Sequence, residues 1–426
     1  MLSGSFSRVR GGFIVKIVRA AVVSFILIPT PLSAAEDSDP ARTVFADADP
    51  DALANPANLM DRKGVTIDTS MAMTTFDLES LGHRSTGQSG LPPDDYDYGD
   101  ARPLTETKFA INLPGLWGSR LGLMGSMPGD FMRVRVLSGE ERSYLRYSED
   151  NQRPHMYTAL AFPLPAGFAM GLGIYHTMEA SGQAQLGVSE EDTRGRALMD
   201  VKPRQVPYGG LRWESRDTGR RLAIDVYYRA ESDASTSMDT QIVVDTEDFI
   251  LPANASANLA LFYQPEVYRA GVSWQTRDTG WYLGYEAGRW SRFRAPYVEL
   301  ISDAAPPSQA EPVTLQDTSA WKLGFAWTAI RNALFTTTLH TGLEQHSSAL
   351  VDNPQNLAII DLPRRVYSLA GRTRIEFINE GPRNLALQWT IHRTDLESRR
   401  LTTPAGEVVS AGGRTMTYAG GLTVEM

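Results

Sequence analysis

The stretch Trp213-Glu-Ser-Arg-Asp-Thr-Gly219, followed by Arg221-Leu-Ala-Ile-Asp-Val-Tyr-Tyr-Arg229, decides the fold. Leu222, Ile224, Val226 and Tyr228 fall on one face of an extended chain; Ala223, Asp225, Tyr227 and Arg229 fall on the other. Successive side chains of a strand point to opposite faces, so this segment has one greasy and one wet side. The tight Asp/Gly signal before it recurs as Trp274-Gln-Thr-Arg-Asp-Thr-Gly280, again between two alternating runs. Each copy reads as a strand, a short turn and a returning strand.

The same period extends outward in both directions. Tyr268, Ala270, Val272 and Trp274 oppose Arg269, Gly271, Ser273 and Gln275; Trp321, Leu323, Phe325 and Trp327 oppose Lys322, Gly324 and Ala326; Leu385, Leu387, Trp389 and Ile391 oppose Ala386, Gln388, Thr390 and His392. Strand starts are expected near Gly64, Glu106, Ser119, His155, Gly167, Arg204, Arg220, Glu266, Gly280, Asp317, Ala333, Arg364, Arg383 and Gly413, with the segment Gly182–Pro203 ambiguous. Short connections at Pro114–Gly118, Pro163–Ala166, Ser215–Gly219, Arg277–Thr279, Ala329–Asn332 and Asn379–Pro382 alternate with long polar ones. A soluble sandwich has no reason to sort its loops by length; a membrane barrel has short turns on one side and long loops on the other. The expectation is an all-β fold over residues 64–426, a transmembrane antiparallel β-barrel of about fourteen strands. All eight tryptophans lie from Trp117 onward, mostly near strand ends, where interfacial girdles form. The alternating segment Met416–Met426 suits a last strand that pairs with the first.

Composition agrees. The chain has 426 residues, 42% of them hydrophobic, with a mean hydropathy of -0.26. A bundle of transmembrane helices would need several long apolar runs, whereas a barrel hides its apolar content by alternation. A net charge of -9 argues against a nucleic-acid partner. The absence of cysteine excludes disulfides, a catalytic thiol and thiolate-bound zinc. No cofactor or metal-ligand spacing stands out, and the acidic run Asp94-Asp95-Tyr-Asp97 reads as a solvated loop. An enzyme is not expected: the six histidines are scattered, and His346 and Ser347, as strand neighbours, point apart.

Residues 1–35 read as an export signal, with Arg8, Arg10, Lys16 and Arg19 ahead of the short apolar core Ala20–Leu32 and small residues at Ser33-Ala34-Ala35. Residues 36–63 do not alternate. Asp51 suits a short helical turn that Pro56 ends. Such a pre-barrel segment has two fates: it hangs in the periplasm, or it folds into the lumen as a plug. One strand is also unusual. The third, from Ser119, meets Gly125-Ser-Met-Pro128-Gly129, and proline lacks a ladder donor, so pairing with a neighbour should break there.

The run Asp51-Ala-Leu-Ala-Asn55-Pro56-Ala57-Asn-Leu59, placed between an export signal and the first strand, resembles the Asn-Pro-Ala signature of the outer-membrane long-chain fatty acid transporters (FadL-type). Gly288-Arg-Trp-Ser-Arg-Phe293 and Gly342-Leu-Glu-Gln-His-Ser347 with Leu362-Pro363 match that family more loosely, with Leu343, His346 and Ser348 replacing its usual Tyr, Asp and Pro. The resemblance implies a hatch at 36–63 plugging a fourteen-stranded barrel, and a kink in the third strand, here Pro128 and Gly129, that opens the lumen sideways into lipid. On that reading Phe45, Leu53, Leu59 and Met60 are candidate ligand-facing groups, and Arg42, Arg62 or Lys63 would pair with a carboxylate. The expected function is passive transport of hydrophobic small molecules, long-chain fatty acids or similar lipophiles, across the outer membrane. The expected partners are that ligand and outer-membrane lipid, and the expected state is a monomer. A general diffusion porin, or a barrel of other role, is the alternative.

Overall fold

The computed structural model describes residues 55–62, 64–78, 81–84, 95–96, 103–128, 144–146, 154–189, 193–215, 220–232, 236–245, 250–259, 263–293, 298–302, 314–332, 334–352, 359–377, 384–402 and 408–426. The expected export signal, most of the expected hatch (Arg42, Phe45 and Leu53 included), Lys63 and Gly129 lie outside these residues.

Fourteen strands form the wall: β1 Thr66–Leu78, β2 Leu104–Pro114, β3 Arg120–Pro128, β4 His155–Pro163, β5 Phe168–Ser189, β6 Thr193–Glu214, β7 Arg221–Arg229, β8 Val267–Gln275, β9 Thr279–Gly288, β10 Thr318–Arg331, β11 Phe335–His346, β12 Arg364–Glu376, β13 Asn384–Thr402 and β14 Val408–Glu425. Each pairs antiparallel with the next. The ring closes where β14 pairs with β1, from Thr66↔Glu425 to Leu78↔Gly413, and Val65 and Met426 exchange both backbone hydrogen bonds below that pair. Closure leaves the wall without a free edge, which a lipid environment requires. Among the described residues no helix is long and apolar enough to cross a membrane.

The alternation sets the two faces. Met71, Phe109, Leu121, Leu172, Leu283, Leu323, Leu369 and Leu387 all stand outward and exposed. An apolar band that runs round the whole ring is lipid-facing surface. Aromatics flank it. Trp274 and Trp281 lie near the β8–β9 turn and Trp117 in the β2–β3 turn, while Tyr228, Tyr268, Tyr285 and Trp321 lie toward the long-loop ends. Such belts sit at headgroup level.

All but two strands begin within two residues of their expected starts. The exceptions are β14, which starts at Val408, and β6, which starts at Thr193 rather than near Arg204. There, β5 and β6 form a hairpin of 22 residues a side that rises well above its neighbours. The upper part of β5 pairs in parallel with Thr236–Asp245, which continues antiparallel into Ile250–Leu259 and then Val298–Ser302. This extramembrane sheet has no counterpart in the sequence reading, because its segments lack clean alternation. By contrast β3, β4, β7 and β8 have nine residues each, about what a tilted strand needs to cross the hydrocarbon.

Candidate functional site

Asn55–Asp61 is the best-defined feature inside the barrel. Pro56–Asp61 is a 3-10 helix: Asn55 accepts a hydrogen bond from the Ala57 amide (3.1 Å), and Pro56 sits where its missing donor costs nothing. The turn lies on the inner face of β4, β5 and β6. Gly171 and Gly210, opposite one another on β5 and β6, make the room. A Cβ on Gly171 would come closer than 3.0 Å to Pro56 and Ala57, and one on Gly210 closer than 3.0 Å to the Asn55 amide.

Polar anchors fix the turn in place. Asn55 Nδ2 donates to the Val226 carbonyl and Asn112 Nδ2 to the Leu59 carbonyl, each at 3.4 Å. Arg212 donates to Asn58 (3.1 Å) and pairs with Asp61. Asn55, Pro56, Ala57 and Leu59 are all buried. The Asn-Pro-Ala motif is thus shaped to the wall.

The expected ligand-facing residues separate here. Leu59 packs into an apolar cluster with Met124, Ala159, Tyr157 and Tyr175, and Met60 lies against its edge. Met60 also lines a pocket of about 190 Å³ beside the Pro163–Ala169 turn, with Arg212 and Glu214. Arg62 Nη1 stands 3.8 Å from Asp68, in an internal ion pair.

Above the turn runs an arc of inward tyrosines that the sequence reading did not single out. Tyr157 and Tyr175 face each other across β4 and β5 with ring centroids 4.7 Å apart. Tyr157 meets Tyr208 edge-on at 5.4 Å, and Tyr208 reaches Tyr227 at 6.1 Å. His155 caps the arc 5.5 Å from Tyr157. Arg229 lies over Tyr175 and Arg269 over Tyr227, at 5.4 and 5.3 Å. The signal was present in the sequence as tyrosine in the lumen phase of four consecutive strands.

The facing wall is ionic. Arg269 bonds Glu286 (2.5 Å), Lys322 bridges Glu286 and Glu344 (3.5 Å each), and His346 Nε2 lies 2.9 Å from Glu344. Toward the short-turn end, Arg374 and Asn384 meet Glu425 at 3.3 and 2.7 Å. His346 therefore serves Glu344, while the Ser347 hydroxyl accepts from the Ser319 amide (2.8 Å), so no nucleophile dyad forms.

The expected break in β3 falls at the edge of the described residues. Gly125 to Pro128 stay paired with β2, through Glu106↔Pro128, and Pro128 is the last residue of the strand. On the other side pairing with β4 stops at Ser126↔His155. Met127 and Pro128 thus have a ladder partner on one side only among the described residues. The described pairing of β4 begins at His155. Just inside, Ser126 donates to Glu106, which pairs with Lys108 at 3.4 Å.

No family model matches the chain, and no curated protein matches it either. Solved structures do. A Pseudomonas aeruginosa FadL homologue aligns with a TM-score of 0.58 at 13% identity, over 89% of this chain and 94% of that one. The CymD monoaromatic hydrocarbon channel aligns at 0.51 and 12% identity, over 90% and 94%, and the P. putida toluene transporter TodX at 0.50 and 13%, over 87% and 92%. The chain shares the fold of these FadL-type barrels over nearly its whole length.

Proposed function

We propose that this barrel is a passive outer-membrane transporter of hydrophobic small molecules, with a hatch at residues 36–63 and lateral release past Pro128 and Gly129. The tyrosine arc carries the reading. A diffusion pore for polar solutes gains nothing from four buried, ring-to-ring tyrosines and Leu59 on its inner wall. A hydrophobic ligand does: burying roughly 150 Å² of apolar surface contributes about 4 kcal/mol. The rings are buried against one another and against Leu59, so a ligand meets them as the Asn55–Asp61 turn withdraws, and aromatic faces then suit both acyl chains and aromatic rings. Toluene and monoaromatic hydrocarbons, the substrates in the names of two barrels of this fold, fall in that class.

The release path rests on two features: the one-sided pairing at Met127 and Pro128 among the described residues, and the missing donor of proline. A ligand leaving there enters lipid without crossing water. No energy source is needed, because the ligand gradient drives flux. The ring closes within one chain, and the proposed state is a monomer. The ionic wall over β8–β13 favours the second reading, a general diffusion porin, whose lumen would stay open to sugars.

The test is uptake of labelled oleate and toluene by cells lacking the gene, carrying either the native copy or Pro128→Ala/Gly129→Ala. Uptake restored by the native copy and lowered by the variant, at equal folded protein, supports both transport and lateral release. Equal uptake by both copies removes the lateral route, and sugar entry without oleate or toluene entry makes the protein a porin.

A further inference from the structure

We infer that His340 is the polar contact of a ligand site in the waist of the lumen, one that takes hydrophobic molecules carrying a single hydroxyl-type group. His340 projects inward from β11 and is 7% exposed, yet neither ring nitrogen has a hydrogen-bond partner among the described residues. Buried polar side chains are almost always bonded, because an unmet donor or acceptor loses its water without compensation.

The residues directly across from it cannot supply the bond. Directly opposite on the two flanking strands stand Ala326 and Ala370. One step along the inner face, Gly342 pairs with Gly324 and Ser368. The ionic groups lie at the two ends of this wall: the Lys322–Glu344–His346 cluster toward the long loops, the Arg374–Glu425 pair toward the short turns. On its long-loop side the wall beside His340 is low, built of alanine, glycine and serine; on its short-turn side Thr338, paired with Thr328 and Arg372, bounds it.

A shallow surface of alanine and glycine accepts the flat body of an apolar molecule. A neutral imidazole offers one donor and one acceptor, which a hydroxyl can use either way round. A bare hydrocarbon leaves both nitrogens unmet, so the site should prefer a phenol or alkanol over the hydrocarbon of the same shape. This rests on the hydrophobe-passage reading and refines it, from any lipophile to hydroxylated ones.

The experiment uses the full-length protein in detergent and two fluorescent probes of one shape, 1-naphthol and naphthalene. Native protein should bind 1-naphthol more tightly. His340→Phe should weaken 1-naphthol by roughly five- to tenfold, the range of one net hydrogen bond, and change naphthalene by less than about twofold. His340→Gln, which keeps a donor and an acceptor, should recover part of the preference and guards against a Phe variant that misfolds. Equal losses for both probes would make His340 a packing residue and overturn the inference. No loss for either would mean that only water meets the ring, with the same result. Failure of the native protein to bind either probe would sink the passage reading itself, a different outcome.

Discussion

Replacing Gly171 and Gly210 by alanine should unseat the Asn55–Asp61 turn, with a local shift in β7, whose Val226 carbonyl the Gly210 methyl meets at 2.9 Å. Neither glycine has a left-handed backbone, so alanine itself is unstrained there. The added methyl groups meet Pro56, Ala57 and Asn55 closer than 3.0 Å, where ordinary contact is 3.4–4 Å, and the atoms met at Gly171 are largely backbone. The turn must retreat by about 1 Å. Its two amide anchors are already at 3.4 Å, so that retreat takes both beyond bonding range. Two hydrogen bonds at about 1 kcal/mol each, plus about 1.5–3 kcal/mol for withdrawing Leu59, give roughly 3–5 kcal/mol. The docked-to-undocked ratio should fall by roughly two to four orders of magnitude. The protein has no cysteine, so Ala57→Cys supplies a unique reporter. A water-soluble maleimide should label it slowly in the native background and at least tenfold faster in Gly171→Ala/Gly210→Ala. Gly420→Ala, whose Cβ meets nothing within 4 Å, is the control and should change nothing. Equal labelling rates in all three backgrounds would refute the reasoning that the two glycines hold the turn.

Other outcomes follow from the same geometry. Leu323→Arg, in the exposed apolar band, should cost about 2–4 kcal/mol in vesicle unfolding, whereas a polar change on the lumen face nearby should cost far less. Arg212→Ala removes the cation paired with Asp61, while Glu214 keeps Arg221, and should destabilise by about 3–5 kcal/mol; adding Asp61→Asn should recover part of it, by the same unfolding assay. Asp317, at the rim, is held below its ordinary value of 3.8 first by its side-chain bond to Ser291. A depressed carboxyl stabilises fully above that ordinary value and loses the contribution as pH falls through the lowered one. Exchange of the Ser291 amide, which donates to Asp317 at 3.0 Å, should therefore stay protected at about pH 5 and open toward pH 2 beyond the intrinsic rate change.

The barrel was legible because lipid and lumen impose period two on every wall strand, as at Leu222–Arg229, and because Asp-Thr-Gly turns mark the hairpins. The parts that were not legible obey other constraints. The upper β5–β6 hairpin and the Thr236–Leu259 strands stand clear of the membrane, so nothing forces their side chains to alternate in polarity. The Asn-Pro-Ala motif was visible, yet its seat depends on Gly171 and Gly210, more than a hundred residues away, and no local pattern links them. The tyrosine arc was hidden for a related reason: each tyrosine looks like ordinary strand composition until four strands are set side by side.

The central claim is passage of hydrophobic small molecules, and its most direct test is selective permeation by one purified protein. Reconstituted into lipopolysaccharide-containing vesicles, the barrel should speed entry of radiolabelled oleate or toluene well above the protein-free rate while leaving arabinose entry at background. Arabinose entering as fast as the hydrophobic compounds, or no acceleration of either hydrophobic compound with folded barrel present, would contradict it.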